Sequence, residues 1–279
     1  MAVSELTPTT GDPQAHRRRL PRWSMVARQA TYWTTVYKRT WKGSVVSSFV
    51  LPLLYVVAMG VLLGGFVDRG GPSLEGAPTY LAFVAPGLVA AHSMQIAIGE
   101  TTWPVLGNLK WHRTYFAMVA TPLAVPDVVA AHLVFVAFRL ATTCGVFLLV
   151  MAPFGVFESW IGVLLAWPVL VLLGMGFASL LYAFSASIKS EESFALVYRL
   201  LVIPLFLFSG AFFPIDNLPA PLAAIARATP LWHGVDLTRT LVLGTAEAGP
   251  TLVHVGYLLV VAVVGCILAV WRLQKRLEV

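Results

Sequence analysis

Residues 205–241 read LFLFSGAFFPIDNLPAPLAAIARATPLWHGVDLTRTL, and this stretch decides how the rest of the chain is interpreted. An apolar run ends at Pro214, a polar turn follows, and two short amphipathic pieces come next, at 221–228 and 231–241. Both pieces are shorter than the roughly 20 residues that a helix needs to cross about 30 Å of hydrocarbon. We therefore expect two interfacial or re-entrant helices that return toward a bilayer instead of forming a soluble domain.

Composition places the whole chain in the same class. Of 279 residues, 58% are hydrophobic and 11% are charged, whereas soluble proteins average about 25% charged residues. The sequence therefore predicts an all-α polytopic membrane protein. Within one apolar run, the small residues Gly174, Gly176, Ala178 and Ser179 predict that another helix approaches closely.

Six charge-poor apolar runs predict six transmembrane helices, which belong to one transmembrane domain at 21–279. The runs lie at about 44–67, 79–99, 128–151, 159–184, 194–213 and 249–271. Before them, apolar residues at steps of three or four predict an amphipathic interface helix at 22–42, preceded by a disordered polar tail at 1–20. The alternative for 22–42 is a soluble helix packed on a partner, but its three tryptophans favour the membrane interface.

Basic residues predict the orientation and argue against nucleic acid as a partner. With six spans and both termini in the cytoplasm, the cytoplasmic segments carry fourteen Lys and Arg residues and the outer segments carry three. Eight of the fourteen precede the first span, where a basic flank sets topology and contacts anionic membrane lipids. We therefore expect a multi-pass protein of a prokaryotic plasma membrane, with 205–241 outside and 100–126 inside.

Residue identities in the opening stretch resemble the signature of the ABC-2 type permeases. The similar positions are Ser209-Gly210, Pro214, Leu218-Pro219, Pro230-Leu231, His233, Val235-Asp236 and Arg239. Within that family the chain is most similar to the nodulation-factor (lipo-oligosaccharide) exporter permeases of the NodJ kind. The chain resembles that subgroup's pattern at Tyr80, Pro86-Gly87, Glu100-Thr101, Tyr115, Ala117-Met118 and 120–123. The resemblance implies the permease subunit of an ABC exporter, whose six spans form half of the usual transmembrane complement.

The chain has no phosphate-binding loop of the form GxxxxGK[ST], because the dipeptide Gly-Lys does not occur in it. We therefore expect a transport subunit that is not an enzyme and holds no cofactor, with ATP and Mg²⁺ bound by a separate subunit. The resemblance implies two ABC ATPase subunits paired with two permeases. Those permeases are either a dimer of this chain or one copy with a related permease.

The cytoplasmic segment 100–126 is the candidate for receiving motion from the ATPase. It mixes aromatic and basic side chains and is too polar to span a membrane. In families that look like this one, the loop between spans two and three is a coupling helix that docks on the nucleotide-binding subunit. The residues assigned to that role are Glu100, Lys110, Trp111, His112, Arg113 and Tyr115. The alternative is an ordinary interfacial loop anchored by Trp103 and Trp111.

Arg139 is the costliest residue in the predicted spans. It lies near the middle of span three, where an arginine costs roughly 2.5 to 3.5 kcal/mol to insert. His92 and Gln95 lie near mid-depth in span two, so we expect an intramembrane polar cluster of His92, Gln95 and Arg139. This cluster either locks the two helices together or contacts an anionic substrate headgroup.

The outer residues form a predicted gate, because the resemblance implies that the re-entrant helices close a substrate path between two permeases. The gate residues are Pro214, Asp216, Leu218, Pro219, His233, Asp236 and Arg239. His233 and Asp236 lie three residues apart, but two ligands do not make a metal site. Hydrogen bonding that orients the outer helix is therefore favoured over metal binding.

The predicted function is ATP-driven export of an amphiphilic substrate: a glycolipid, a lipid-linked saccharide or a drug. An ion-coupled secondary transporter is the first alternative, but it normally needs intramembrane acidic residues, and no Asp or Glu lies within a predicted span core. A membrane-embedded lipid or glycan transferase is the second alternative. It would need a metal or carboxylate cluster, and the outer acidic residues lack recognisable spacing.

Overall fold

The computed structural model describes residues 34–35, 37–38, 49–50, 53–65 and 74–278. Every regular element in these residues is helical, which confirms the predicted all-α class. The helices are α1 (53–65), α2 (Tyr80–Thr101), α3 (Trp103–Lys110), α4 (Thr114–Val119), α5 (Val125–Met151), α6 (Trp160–Ser187), α7 (192–208), α8 (Ala220–Arg227), α9 (Pro230–Val242) and α10 (Ala248–Leu277). The predicted tail 1–20 and most of the predicted interface helix 22–42 lie outside the described residues.

Four helical stretches are long and apolar enough to cross a membrane. They are Tyr80–Lys110, Val125–Phe154, Trp160–Ser187 and Ala248–Leu277, and they match predicted spans two, three, four and six. Helix α7, at predicted span five, is about 25 Å long at 1.5 Å per residue, short of about 30 Å of hydrocarbon. Predicted span one is described only from 49 onward and with gaps.

Helix α7 ends at Phe208, five residues before the predicted end of span five. Gly210 has φ +79°, the left-handed region that glycine enters without the steric cost of a Cβ, and the helix cannot continue through it. Within α7, residues Tyr198–Val202 form a π-helical turn. Pro204 follows this turn and has no N–H to donate to the preceding turn, which accounts for the irregular hydrogen bonding there.

Helix α2 lies at the centre of the bundle and α10 at its edge. In the apolar window of Tyr80–Lys110, 83% of residues are buried, against 22% in that of α10. The bundle is therefore built around α2 and α6, with α10 exposing most of its apolar face.

Side chains cap several helices at their first turn: Thr79, Ser159 and Thr229 accept backbone N–H groups of α2, α6 and α9.

Small residues bring α6 against its neighbours, as predicted for span four. A Cβ on Gly265 of α10 would lie 2.8 Å from the Cβ of Ser179 on α6, and Ser179 donates to the Ala262 carbonyl at 3.3 Å. On the same helix, Leu173 occupies the space that a Cβ on Gly234 of α9 would need. Helices α6, α9 and α10 therefore form one closely packed unit.

Helix ends meet at two opposite faces of the bundle. At one, Lys110 Nζ lies 2.8 Å from Glu191 Oε1, so the end of α3 meets the start of α7. At the other, the N–H groups of Glu158 and Ser159 donate to the Val242 carbonyl, so the start of α6 meets the end of α9. We name them the α3 face and the α9 face. The predicted orientation makes the α3 face cytoplasmic and the α9 face outer.

Candidate functional sites at the two ends of the bundle

The predicted coupling segment is a pair of short helices on the α3 face. Helix α3 continues almost directly from α2, and Arg113, with φ +50°, turns the chain into α4. The rings of Trp103 and Trp111 stack with centroids 6.3 Å apart and an interplanar angle of 9°. Both tryptophans are about half exposed, at 47% and 51%. They present a flat apolar surface on an otherwise basic turn.

Two contacts join this segment to the start of α7. Lys110 forms the ion pair with Glu191, whose side chains are 45% and 39% exposed. The Trp103 ring lies 5.3 Å from the ring of Phe194, which is buried. The segment is therefore joined to the start of α7 by one polar and one aromatic contact.

Tyr115 differs from the other residues assigned to coupling because it is fully buried. Its hydroxyl lies 3.0 Å from His132 Nδ1, and His132 Nε2 lies 3.1 Å from the Glu100 carbonyl. A carbonyl only accepts, so Nε2 carries the proton and Nδ1 accepts from the tyrosine hydroxyl. Tyr115 therefore positions α4 from inside the bundle and offers no surface to a partner. The exposed members of the set are Lys110, Trp111, His112 and Arg113.

Arg139 has a different partner from the one predicted. Its Nε donates to Glu100 Oε1 at 2.9 Å, and its guanidinium lies 5.4 Å from the Tyr37 ring centroid. The predicted cluster with His92 and Gln95 is not formed in the described residues. Both ring nitrogens of His92 lack a hydrogen-bond partner there, and Gln95 is exposed. The physical reason is reach, because the long arginine side chain extends toward the carboxylate in the last turn of α2.

On the α9 face, Arg239 joins its own helix to three other parts of the chain. It is buried, and it donates to the Phe83 carbonyl at 3.1 Å, to the Gly210 carbonyl at 2.6 Å and to Glu75 Oε2 at 2.8 Å. Its guanidinium also lies 3.9 Å from the Phe83 ring centroid. Helix α9 is thereby joined to α2, to the end of α7 and to the loop before α2.

A second gate contact is a chain of three titratable side chains. His254 of α10 joins His233 to Asp236: its Nδ1 lies 2.7 Å from His233 Nδ1, and its Nε2 lies 3.1 Å from Asp236 Oδ2. Burial lowers the pKa of His233 to about 4, and the neighbouring His254 adds to this effect while Asp236 opposes it. The Tyr257 ring stacks on His233 with centroids 4.0 Å apart. His233 and Asp236 therefore hold α9 against α10 through polar contacts with His254.

The remaining gate residues shape the turn before α9. Pro214 and Pro219 precede the short 3₁₀ helix Ile215–Asn217 and helix α8, respectively. Asp216 pairs with Arg227 at 2.6 Å on the exposed surface. Leu218 and Trp232 pack against a small buried cluster of Ile215, Ala223 and Ala226. A polar cleft of about 280 Å³ opens here. Its charged lining residues are Glu75, Asp216, Arg227, Asp236 and Arg239.

Sequence reasoning missed Glu75, Glu191 and His254. Glu75 lies in a glycine-rich loop, with a left-handed backbone at φ +52°, and Glu191 lies in the polar turn between predicted spans four and five. His254 is one of the few polar residues in an apolar span, which is the signal that would have identified it. No group of three or more His, Cys, Asp or Glu side chains that could hold a metal occurs in the described ranges.

The chain is similar to known membrane proteins over most of its length. A family model described as "ABC-2 type transporter" matches residues 23–243. "Nodulation protein J" from Rhizobium leguminosarum bv. trifolii is 33% identical over 252 residues, covering 88% of this chain and 94% of that protein. The protein of the same name from Rhizobium meliloti (strain 1021) is 31% identical over 252 residues, with the same coverage. A "Daunorubicin resistance ABC transporter permease protein" from Streptomyces coeruleorubidus is 28% identical over 205 residues, covering 71% and 68%. The family match includes α3, α4, α8 and α9, whereas His254 and Tyr257 of α10 lie beyond it.

Proposed function

The chain belongs to the ABC-2 type transporter family, and on this premise we propose that it is the permease subunit of an ABC exporter in a prokaryotic plasma membrane. The observation that carries the proposal is the family match over residues 23–243. A separate nucleotide-binding subunit binds ATP and Mg²⁺ and hydrolyses the nucleotide. This chain supplies the membrane path and the surface that receives the movement.

The proposed substrate is an amphiphile: a glycolipid, a lipid-linked saccharide or a drug. Relatives named nodulation protein J and a relative named for daunorubicin resistance support this range. Two permeases, either two copies of this chain or one copy with a related permease, enclose the path. Six spans per chain are proposed: the four long helices, the stretch around α1, and helix α7, whose 17 residues are at the lower end of the length that spans a bilayer.

The proposed orientation puts the α3 face in the cytoplasm. Basic residues concentrate there, which follows the positive-inside rule. They are Lys110, Arg113, Lys189, Arg272, Lys275 and Arg276. In this orientation α8 and α9 lie at the outer surface, and both are too short to cross the bilayer.

The proposed mechanism uses contacts that run from one face to the other. Docking of the ATPase on Trp103 and Trp111 moves α3, and the contacts of α3 with Glu191 and Phe194 displace α7. Gly210 lies two residues after the end of α7, and its carbonyl accepts from Arg239 of the outer gate. Closure of the ATPase subunits is thereby coupled to the outer helices, which open and close the substrate path.

The test is reconstitution of the full chain in vesicles with a candidate P-loop ATPase subunit that co-purifies with the tagged chain. We expect substrate movement only when ATP and a catalytically competent ATPase are both present. W103A/W111A should lower substrate-stimulated ATPase activity at least tenfold, because the docking surface is lost. W160A is the matched control, since Trp160 is also exposed but lies on the α9 face.

The opposite results would contradict the proposal. Transport by this chain alone, driven by an ion gradient without nucleotide, would favour a secondary transporter. Equal effects of W103A/W111A and W160A would place ATPase docking elsewhere on the chain.

A further inference from the structure

A basic cleft of about 570 Å³ opens on the α3 face between the two coupling helices and the ends of α6 and α10. Its apolar lining residues are Leu109, Phe116 and Ala186. Its charged lining residues are all cations: Lys110, Arg113, Lys189, Arg272, Lys275 and Arg276. Within the part of the chain that the structure describes, no acidic side chain lines it.

The cations of this basic cleft repel one another. Arg272 and Arg276 lie four residues apart on α10, and Lys275 lies three residues from Arg272, spacings at which like charges destabilise a helix. Among the described residues, one of the six cations has an ion-pair partner, Lys110 with Glu191. The cleft therefore holds a concentrated positive charge that an anion would neutralise.

The position of the cleft at the end of the apolar helix α10 indicates that the anion belongs to a lipid. Arg272 and Lys275 lie 4.6 and 5.7 Å from the Trp271 ring centroid. Trp271 is half exposed at the end of an apolar helix, a position typical of tryptophan at the headgroup level of a membrane. Basic pockets between transmembrane helices at the cytoplasmic surface bind acidic lipid headgroups.

We propose that the basic cleft binds the headgroup of an anionic phospholipid of the inner leaflet. The phosphodiester lies among the cations, and the glycerol and first acyl carbons lie against Leu109 and Phe116. A soluble phosphate would match the charge but leave the apolar lining unused. The proposal rests on the proposed function only for assigning the α3 face to the inner leaflet, and binding itself requires no ATPase.

The experiment measures lipid binding by the delipidated full chain in detergent, using native mass spectrometry. The probes are phosphatidylglycerol, phosphatidylcholine with the same acyl chains, and glycerol 3-phosphate. We expect phosphatidylglycerol to bind most tightly and glycerol 3-phosphate to bind weakly. R272Q/K275Q should weaken phosphatidylglycerol binding about fivefold for each charge removed, because a basic residue near an anionic lipid contributes on the order of one such factor.

Two matched variants control for folding and for charge alone. R272K/K275R keeps both charges and should bind phosphatidylglycerol as the parent does. R227Q removes an exposed arginine from the α9 face and should also bind normally. Should R272Q/K275Q not yield a monodisperse protein, K189Q is measured in its place, with about a fivefold loss expected.

Several results would overturn the proposal. One is equal binding of phosphatidylglycerol and phosphatidylcholine, and another is unchanged binding by R272Q/K275Q. Tight glycerol 3-phosphate binding would assign the cleft to a soluble anion. Normal lipid binding by R272Q/K275Q together with lost ATPase co-purification would make the cleft a protein contact. Loss of lipid binding by R272Q/K275Q with unchanged ATPase co-purification would support the lipid site. Failure of the proposed ATP-driven transport would not affect this result, because the binding measurement uses no ATPase.

Discussion

Arg239 Nη1 lies 2.8 Å from Glu75 Oε2, although 164 positions separate the two residues in the sequence. The same guanidinium donates to the backbone carbonyls of Phe83 and Gly210. One buried cation therefore joins four segments: α9, α2, the turn after α7 and the loop before α2. Removing one partner of a buried charge costs more than the pair itself contributes, because the remaining groups stay desolvated.

We expect R239Q to destabilise the protein by about 3 kcal/mol, since it leaves two carbonyls and a carboxylate without a full set of donors. The measurement is the thermal unfolding midpoint of the purified chain in detergent. R227Q is the matched control, because Arg227 forms an exposed pair with Asp216 and such pairs contribute at most about 1 kcal/mol. Equal shifts for the two variants would contradict a holding role for Arg239.

The pair of Arg139 and Glu100 should behave as a coupled unit in a double-mutant cycle. E100Q alone leaves a partly buried cation without its carboxylate, and we expect a loss of about 1 to 2 kcal/mol. R139M/E100Q should recover part of that loss, with a coupling energy of about 1 kcal/mol. The changes in the free energy of unfolding caused by R139M and H92A should be additive in a second cycle. Strong coupling between them would instead support the cluster with His92 that the sequence predicted.

Reversal of the Lys110 and Glu191 charges separates transmission from stability. Both side chains are substantially exposed, so K110E should change the free energy of unfolding by less than about 1 kcal/mol. Because the pair joins α3 to α7, K110E should nevertheless reduce substrate-stimulated ATPase activity several-fold. K110E/E191K re-forms the pair with reversed polarity and should restore most of the stimulation. A double variant as inactive as K110E would indicate that Lys110 acts on the ATPase directly.

Acid should weaken the packing of the α9 face through His233. Its folded-state pKa of about 4 lies below the ordinary 6.5, so between these values the unfolded chain binds a proton that the folded protein does not. Stability therefore falls as pH falls through this window, by at most about 1.4 kcal/mol per pH unit. H233Q removes this contribution, so its unfolding midpoint should decline less between neutral pH and pH ~4.5. The same decline in parent and variant would contradict the assignment.

Two glycines of α10 offer a matched test of the contact between α6 and α10. G265A places a methyl group against Ser179, and we expect a loss of about 1 to 3 kcal/mol from overpacking. At Gly256 an added methyl meets nothing within 4 Å, so G256A should be neutral or stabilise the helix by up to about 1 kcal/mol. Thermal unfolding of both variants checks this, and a neutral G265A would show that the helices separate easily.

Length and hydropathy were sufficient to predict the four long helices and the two short helices of the α9 face. The boundaries of α8 and α9 agree with the amphipathic pieces to within one residue, because prolines at both starts and the turn between them are local signals. The early end of α7 was less visible, since Ser209 and Gly210 lie inside an apolar run and only the positive φ of Gly210 ends the helix.

Side-chain partners were much harder to predict than helices. The apolar surroundings of Arg139 in the sequence indicate that it needs a polar partner. Whether that partner is His92 or Glu100 depends on the rotation of the helices and the length of the arginine side chain, which the sequence does not show. Glu100 was assigned to a connecting segment because a charge marks the end of an apolar run, whereas the structure keeps it in the last turn of α2. His254 and His233 come from different helices, and nothing local in the sequence links them.

The contact of Gly234 with Leu173 limits how the α9 face can rearrange. Helix α9 cannot withdraw from α6 without leaving a void the size of a leucine side chain. Helix α8 instead packs Ala223 and Ala226 against Ile215, and one hydrogen bond, from the Tyr257 hydroxyl to the Ala228 carbonyl, joins its end to α10. An aperture on this side of the membrane would thus be asymmetric, widening where α8 tilts away and keeping α9 as its stationary edge.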